Sequence, residues 1–289
     1  MKIIRYLAPL NGHPEVGILV GQSIYEIPAV CGNPIPLLLL DSQGLEKISE
    51  QAITKHEISD VKLLSPVSKP RKIFALAANY HPHDKWLDID VDVETPTVFS
   101  KPITAIIGPD ETIPCHAIAT RVVEEIELGV VIGNPGRNIP VSKAFEHVFG
   151  YTIMNDVSAR SLGFSELRKD TPSKHWFDWL NGKWLDGYCP VGPWIVHKSE
   201  IENPNDLEIT TNVNNTIKVQ GTTKRMKFDI QKQIAYLSNI CTLETGDLIA
   251  TGVVPLREGQ DETMLNPGDQ IEGAIDGIGI LKNTFGYPS

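Results

Sequence analysis

Short apolar runs separated by Gly, Pro and polar residues dominate the sequence. In residues 1–30, runs such as GILVGQSIYEI predict strands joined in hairpins. Residues 34–58 place Leu45, Ile48 and Ile53 at roughly helical spacing and predict a helix. The segment SPVSKP has the Pro and Ser content of a linker, so we predict a small N-terminal α/β domain over residues 1–68 and a second domain over residues 69–289.

The second predicted domain consists mainly of strand-like runs, with few helical patterns between them. These runs are KIFALAA, TVFSKP, ITAIIGP, VVEEIELGVVIG, FGYTIMN, GPWIV, LEITTNVNN, DLIATGVV and QIEGAI. The clearest amphipathic helix is predicted at KFDIQKQIAYLSNI. We therefore predict an α+β, β-rich fold with a closed or rolled mixed sheet, in preference to a doubly wound α/β sheet.

Composition narrows the classes of partner. The 289 residues include 26 Lys and Arg against 36 Asp and Glu, a net charge of -10 that disfavours nucleic acid and anionic membrane surfaces as partners. The sequence has no apolar stretch near the ~20 residues needed to cross a bilayer and no signal-peptide pattern, so we expect a soluble, cytoplasmic protein. Cys31, Cys115, Cys189 and Cys241 form no CxxC pair and are expected to be free thiols.

Two carboxylates stand out in the run VVEEIELGVVIG. Because side chains alternate along a strand, Glu125 and Glu127 share one face while Ile126 and Leu128 share the other. Two glutamates roughly 7 Å apart along a strand repel each other unless water or a cation lies between them. The spacing alone favours a simpler interpretation, in which an exposed strand face carries Glu for solubility.

A third carboxylate, Asp156, ends the apolar strand FGYTIMN. It could point into the mouth of a site, or it could cap a helix over residues 157–160. Together with Glu125 and Glu127 it would supply the all-oxygen ligand set that Mg²⁺ or Mn²⁺ prefers. Zinc is a poorer match because no His or Cys lies at ligand spacing beside these acids.

Six segments in order, over residues 72 to 285, resemble the fumarylacetoacetate hydrolase family. They are VVEEIELGVVIG, GYTIMNDVSAR, NGKWLDGYCPVGPWI, NVNNTIKVQGTTKRM, TLETGDLIATG and NPGDQIEGAIDGIGIL. The resemblance implies a mixed β-roll fold, a homodimer, and a Mg²⁺ or Mn²⁺ site formed by Glu125, Glu127 and Asp156. It also implies a small-molecule 2-oxo acid substrate. The family hydrolyses acylpyruvates or related carbon–carbon bonds, and includes decarboxylases, hydratases and isomerases.

The segment NYHPH resembles the Asn-Tyr-x-x-His segment of that family, which implies that His83 is the general base that activates water. An ordinary surface histidine is the alternative, and the further Asp-His of a zinc hydrolase pattern is missing. Many family members have Glu three residues after this histidine, where this sequence has Trp86. This departure would impair water activation more than a reaction that needs only an enolate, such as decarboxylation of oxaloacetate.

Two basic residues are candidates for the same site. Lys183 could hold a developing enolate oxygen, and the resemblance favours this catalytic role over that of a surface salt-bridge partner. Arg160 resembles a family arginine near the substrate, but pairing with the acidic strand would explain it equally well.

Three further residues are predicted to contact substrate. Thr251 lies in TGV where the family often has Thr-Gly-Thr, so Val253 removes a hydroxyl that would bind a substrate oxygen. Tyr80 and Lys101 are weaker candidates, because core tyrosines and charges at strand edges are common.

The sequence supports a divalent-metal-dependent hydrolase that cleaves a carbon–carbon bond in a 2-oxo acid through a metal-stabilised enolate. One alternative is an oxaloacetate decarboxylase, or a hydratase or isomerase of a 2-oxo acid. Another is a catalytically inactive, metal-stabilised binding module, which Trp86 and Val253 would favour. The sequence shows no GxGxxG motif opening a helix, no P-loop and no GxSxG motif, so nucleotide cofactors and serine nucleophiles are disfavoured.

Overall fold

Strands form most of the regular structure in this computed structural model, which describes residues 1–81, 95–163, 172–256, 261–262 and 264–287. The strands are β1 (Lys2–Leu7), β2 (Pro14–Val20), β3 (Ser23–Glu26), β4 (Lys55–Glu57), β5 (Lys62–Leu64), β6 (Ile73–Ala77), β7 (Thr97–Ser100), β8 (Ile106–Ile107), β9 (Thr112–Pro114), β10 (Ala119–Val123), β11 (Ile126–Ile132), β12 (Val148–Asn155), β13 (Ser158–Leu162), β14 (Cys189–His197), β15 (Glu208–Val213), β16 (Thr216–Thr222), β17 (Leu248–Ala250), β18 (Gln270–Ile275) and β19 (Gly279–Gly286). The α-helices are α1 (Ser42–Glu50), α2 (Pro172–Asn181) and α3 (Ile230–Ile240). Short 3₁₀ turns cover Pro28–Val30, Ile35–Leu39, Ile58–Asp60, Ile103–Ala105, Val141–Glu146, Lys198–Glu200 and Thr223–Arg225.

A mixed, 12-stranded sheet is the largest unit. Its main path runs β4-β3-β2-β1-β14-β12-β11-β17-β6-β7, with β5 beside β1 and β8 beside β14. Most neighbours are antiparallel, whereas β6 and β17 are parallel, as are β8 and β14. The predicted β-rich, mixed-sheet fold is confirmed. Strands β1 to β4 belong to this same sheet, and the division at residue 68 stays a prediction.

Two smaller sheets pack near the large one. Five strands form a sheet in the order β16-β15-β18-β19-β9. Strands β10 and β13 pair as an antiparallel ribbon, with Val123 opposite Ser158. Since β10 leads into β11 and β13 follows β12, the ribbon continues directly from two central strands of the large sheet.

Strand β11 is buried on both faces, unlike the solvent-exposed strand that the Glu-x-Glu spacing alone would suggest. It lies between β12 and β17, and Leu128 and Val130 pack in one apolar cluster while Val131 packs in another. The alternation predicted for the apolar side chains is correct. The interpretation of Glu125 and Glu127 as a solubilising surface is wrong, since both are buried.

The helix predicted over residues 34–58 is shorter in the structure. Helix α1 starts after Asp41, whose carboxylate accepts a hydrogen bond from the Gly44 N–H at 2.8 Å, and it ends at Glu50. Ile53 is fully exposed, and the chain then forms β4 against β3. Pairing with the sheet therefore overrides the helical pattern beyond residue 50.

The predicted amphipathic helix is confirmed as α3, which is capped by Asp229 and buries Ile230, Ile234 and Leu237. Helix α2 is not predicted by the sequence patterns, and it matters because its C-terminal end leads into Lys183. Within the described part of the chain, no helix has the length and apolar character to cross a membrane.

Candidate metal centre

The antiparallel pairing of β11 and β12 brings the predicted acids together. Ile126 lies opposite Asn155, so Glu125 and Asp156 flank the same end of the pair. The Asp156 N–H donates to the Glu125 carbonyl at 2.8 Å, and the Glu125 N–H donates to the side-chain oxygen of Asn155 at 2.9 Å. The strand register therefore fixes the backbone on both sides of the site.

Glu125, Glu127 and Asp156, here called the acid triad, each place one carboxylate oxygen within 4.8 Å of the others. Their exposed fractions are 7%, 1% and 2%. The helix-cap alternative for Asp156 is wrong, because the chain continues into strand β13 at Ser158. Three buried acids at this distance form a compact set of oxygen ligands.

Three cationic side chains surround the acid triad. The Lys183 ammonium lies 2.6 Å from Glu125 Oε2 and 2.7 Å from Asp156 Oδ2. The Lys101 ammonium lies 2.5 Å from Asp156 Oδ1, and a guanidinium nitrogen of Arg160 lies 2.8 Å from Glu125 Oε1. Lys183 is buried, so it is not a surface salt-bridge partner. Arg160 makes the pairing with the acidic strand that its sequence position allowed.

The end of β17 positions the carboxylate of Glu127. The Gly252 N–H donates to Glu127 Oε2 at 2.6 Å. Gly252 has φ +100°, and a Cβ there would lie 2.9 Å from Cβ of Asn79. A positive φ with so little space requires glycine. This role of Gly252 was not predicted, although the glycine of the TGV motif is a signal for it.

Tyr80 and Thr251, two of the predicted substrate contacts, lie near Glu127, and their contact with a substrate stays a prediction. Both side chains are buried. Their hydroxyls lie near each other, but neither forms a hydrogen bond of ordinary geometry with the described residues. Burial raises the pKa of Tyr80, and the nearby Glu127 carboxylate adds to this increase. The Asn79 side chain fixes the neighbouring backbone by donating to the Thr251 carbonyl at 2.7 Å.

Glu262 is a further acid at this site that the sequence analysis missed. Its carboxylate accepts hydrogen bonds from Nε of Arg160 at 3.0 Å and from the same guanidinium nitrogen that contacts Glu125. Arg160 is thus held between two carboxylates. Two other predicted positions, His83 and Trp86, lie outside the described residues.

Electrostatics differ between the three acids. Burial raises the pKa of Glu127 well above its ordinary value, and the neighbouring Asp156 and Glu125 carboxylates raise it further. Burial also acts to raise the pKa of Asp156, but Lys101 and Lys183 lower it by more. For Lys183, burial acts to lower the pKa, and attraction to Asp156 and Glu125 outweighs it, so the ammonium stays charged.

The acid triad fits a hard divalent cation. It offers carboxylate oxygens from three residues, and the group found among the described residues contains no His or Cys. The raised pKa of Glu127 reflects burial and mutual repulsion of the acids, which a divalent cation would relieve. Glu125, Glu127 and Asp156 are therefore suited to hold a metal ion such as Mg²⁺ or Mn²⁺.

Proteins of known structure and activity resemble this chain over nearly its whole length. A human mitochondrial oxaloacetate tautomerase is 34% identical over 296 residues, covering 98% of this chain and 91% of its own. The fumarylacetoacetate hydrolase of Exiguobacterium antarcticum is 30% identical with a TM-score of 0.81, covering 99% of both chains. A Sphingobium maleylpyruvate hydrolase, solved with manganese(II) and pyruvate, is 26% identical with a TM-score of 0.79, covering 100% of both chains.

The sequence profile described as fumarylacetoacetate (FAA) hydrolase C-terminal matches residues 72–286. This range contains the acid triad, both lysines and Arg160. The three relatives above are enzymes, and the named substrates of two of them, oxaloacetate and maleylpyruvate, are 2-oxo acids. The match in sequence and fold, together with the convergence of the acids, shows that this chain belongs to the fumarylacetoacetate hydrolase family.

Proposed function

We propose that this chain is a divalent-metal-dependent tautomerase that interconverts the keto and enol forms of oxaloacetate. The observation that carries the proposal is the buried acid triad with the Lys183 ammonium bonded to two of its members. The human relative that supports this choice of substrate matches 98% of the chain. Tautomerisation moves one proton from C3 to the C2 oxygen, adds no water and breaks no carbon–carbon bond.

Glu125, Glu127 and Asp156 are the residues that would hold the ion. Bound Mg²⁺ or Mn²⁺ would supply Lewis acidity at the substrate's keto oxygen and thereby make the C3 protons easier to remove. The chain itself fixes the orientation of the ligands. The Gly252 N–H holds Glu127, and the β11–β12 register holds Glu125 beside Asp156.

Lys183 would stabilise negative charge on the substrate oxygen. Its ammonium has three N–H groups, and two have acceptors at Glu125 and Asp156 among the described residues, which leaves one for a substrate oxygen. The ammonium also lies 5.1 Å from the ring centre of Phe99 and 5.8 Å from that of Trp179. These rings reduce water access, which strengthens a charge-assisted hydrogen bond.

Tyr80 would act as a donor beside the same site. Because burial raises its pKa, its hydroxyl stays protonated at neutral pH. A protonated phenol can donate to a substrate oxygen or return a proton to it, but it is a poor base. Thr251, whose hydroxyl faces Tyr80, is the second buried donor available there.

Hydrolysis of an acylpyruvate is the second candidate function. It is favoured by the likeness to the maleylpyruvate hydrolase. This reaction needs an activated water, for which the sequence offers His83 with Trp86 where family members often have Glu. Tautomerisation needs no activated water. It needs only a group that takes up the C3 proton, for which the sequence offers His83, and a donor such as Tyr80 at the C2 oxygen. This difference is why we rank it first.

The test uses purified protein stripped of metal and reloaded with Mn²⁺. We expect it to speed the loss of the ultraviolet absorbance of enol-oxaloacetate beyond the rate with the same free Mn²⁺. Pyruvate, measured with lactate dehydrogenase and NADH, should not form faster than in the control. Glu127→Gln should abolish the acceleration, whereas Glu272→Gln, at an ion pair with Lys282 on the five-stranded sheet, should retain it.

Other outcomes would change the assignment. Rapid pyruvate release from oxaloacetate would identify a decarboxylase, and cleavage of acetylpyruvate without tautomerase activity would identify the hydrolase. Inertness toward both substrates, with Mn²⁺ still bound, would support the binding-module alternative.

A further inference from the structure

Lys101 is fully buried, and its ammonium is surrounded by protein acceptors. It follows strand β7, and its side chain has 0% exposure. The ammonium lies 2.5 Å from Asp156 Oδ1, 2.6 Å from the Lys183 carbonyl and 3.4 Å from the Val157 carbonyl. A lysine ammonium has three N–H groups, so all three have acceptors within the chain.

The bonds from Lys101 and Lys183 form a closed ring. Lys101 holds one oxygen of Asp156, and the Lys183 side chain holds the other at 2.7 Å. Lys101 also holds the main-chain carbonyl of Lys183. One lysine thus fixes a member of the acid triad together with the backbone that carries the second lysine.

The two lysines therefore differ in what they can offer a substrate. Lys183 retains one N–H without an acceptor among the described residues, whereas Lys101 retains none. A substrate oxygen could bond Lys101 only by displacing a buried acceptor, which would leave that acceptor unpaired at a substantial cost.

We infer that Lys101 is a positioning residue, which sets the relation between the Asp156 carboxylate and the Lys183 ammonium without touching substrate. This differs from the substrate contact expected from the sequence. A shift of Lys183 would misalign its remaining N–H with the oxygen on which charge develops. Such misplacement lowers kcat, and substrate binding through other contacts is affected less.

The inference is tested with Lys101→Met and Lys101→Gln, where the glutamine variant keeps an uncharged N–H donor group and serves if the methionine variant fails to fold. Lys72→Met is the matched control, since Lys72 also bridges two acids, Glu244 and Asp247, and neither of these belongs to the acid triad. Steady-state kinetics with oxaloacetate and Mn²⁺ give kcat and KM. Calorimetry gives the Kd of oxamate, a non-reacting analogue of a 2-oxo acid.

Hydrogen–deuterium exchange of the metal-free protein supplies a readout that needs no turnover. Removing the bond to the Lys183 carbonyl should speed exchange in the peptide covering residues 181–188 by about ten-fold or more. The kcat of both Lys101 variants should fall by about ten-fold or more, with KM and the oxamate Kd within about three-fold of wild type. Lys72→Met should leave kcat and exchange of that peptide unchanged.

The opposite pattern would overturn the inference. If KM and the oxamate Kd rise by about ten-fold while exchange in residues 181–188 is unchanged, Lys101 is a substrate contact. The kinetic readout rests on the proposed function, but the exchange readout does not. If wild-type protein does not act on oxaloacetate, unchanged exchange in both Lys101 variants still refutes the positioning role, and faster exchange still supports it.

Discussion

The parallel strands β6 and β17 have an ionic cluster at each end, and the two clusters balance their charge differently. At the start of both strands, Lys72 lies 2.7 Å from Glu244 and 2.9 Å from Asp247. Asp247 also accepts main-chain hydrogen bonds from Lys72 at 3.0 Å and Glu244 at 2.7 Å. This cluster is complete, because Lys72, the Arg71 guanidinium at 2.9 Å from Glu244, and two backbone N–H groups satisfy its two acids.

At the other end of β17, Thr251 and Gly252 lead into the acid triad. Burial raises the pKa of Asp247 as it raises that of Glu127. The neighbouring groups act in opposite directions, since those around Asp247 offset part of the increase in its pKa, while Asp156 and Glu125 add to the increase at Glu127. The comparison indicates that the first cluster stabilises the fold by itself, whereas the acid triad accepts repulsion that a cation would remove.

The largest expected difference comes from neutralising one acid in each cluster. Glu127→Gln removes a charge from the acid triad but keeps an oxygen that can accept from the Gly252 N–H. We expect activity to fall by about a thousand-fold or more, because a ligand of the metal is lost. The metal-free variant should melt at a higher temperature than metal-free wild type, because repulsion and burial of charge are relieved.

The pH dependence of stability shows whether ionisation of Glu127 stabilises or destabilises the folded protein. The folded-state pKa of Glu127 lies above its unfolded value, so its ionisation opposes folding at neutral pH. Its contribution should become less unfavourable as the pH falls through the folded pKa towards the unfolded value of about 4.3. Calorimetry in EDTA should show this gain in wild type and its absence in Glu127→Gln. Asp247→Asn should instead lower the melting temperature, because both Asp247 oxygens accept backbone N–H groups and Lys72 contacts the charge, whereas Asn has one oxygen and no charge. It should leave Mn²⁺ binding intact; loss of Mn²⁺ binding there would contradict the comparison.

Removing one lysine from each cluster should have the next largest effect. Lys183→Met leaves Glu125 and Asp156 without a buried cation and should lower kcat by about 10²- to 10³-fold. It should also destabilise the metal-free protein by about 3–5 kcal/mol. Lys72 is 25% exposed, so Lys72→Met should cost about 1 kcal/mol and keep kcat. Urea denaturation measures the loss of stability of each variant, and steady-state kinetics measures its kcat. An unchanged kcat in Lys183→Met would show that this residue has no part in the mechanism.

The smallest effects are expected at two glycines that bracket β17. Gly246 has φ +86° and Gly252 has φ +100°, so alanine at either position should cost about 1–3 kcal/mol. At Gly246 the new Cβ would meet the end of the flexible Ile35 side chain. Only Gly252→Ala should also weaken Mn²⁺ binding, by about five-fold, because the strained backbone would displace the N–H that orients Glu127. Equal Mn²⁺ affinities in the two variants would show that the position of this N–H does not matter for metal binding.

The convergence of the acid triad could be predicted because it depends on local patterns. Strand alternation places Glu125 and Glu127 on one face, and Asp156 ends an apolar strand. The six segments that resemble the family, which occur in the same order along the chain, supported placing the three acids in one site. Both predictions use information within a few residues of each acid, and the antiparallel register of β11 and β12 then brings them together.

Other features depend on contacts between distant parts of the chain. The bond between Lys101 and the Lys183 carbonyl joins residues 82 positions apart, and Arg160 and Glu262 are 102 positions apart. No periodicity encodes such pairs. The early end of α1 has a similar cause, since residues with a helical pattern instead pair with β3. The burial of β11 on both faces also follows from its central place in the sheet and not from its own composition.

The ribbon of β10 and β13 places the acid triad at a junction between two sheets. Glu125 and Asp156 lie where the backbone leaves the large sheet and enters the ribbon, while Glu127 still belongs to the large sheet. An ion bound by all three acids would link the two sheets, so the orientation of the ribbon would depend on whether the site is occupied. Loss of the ion should then loosen the hinge between ribbon and sheet before it affects the sheet's interior.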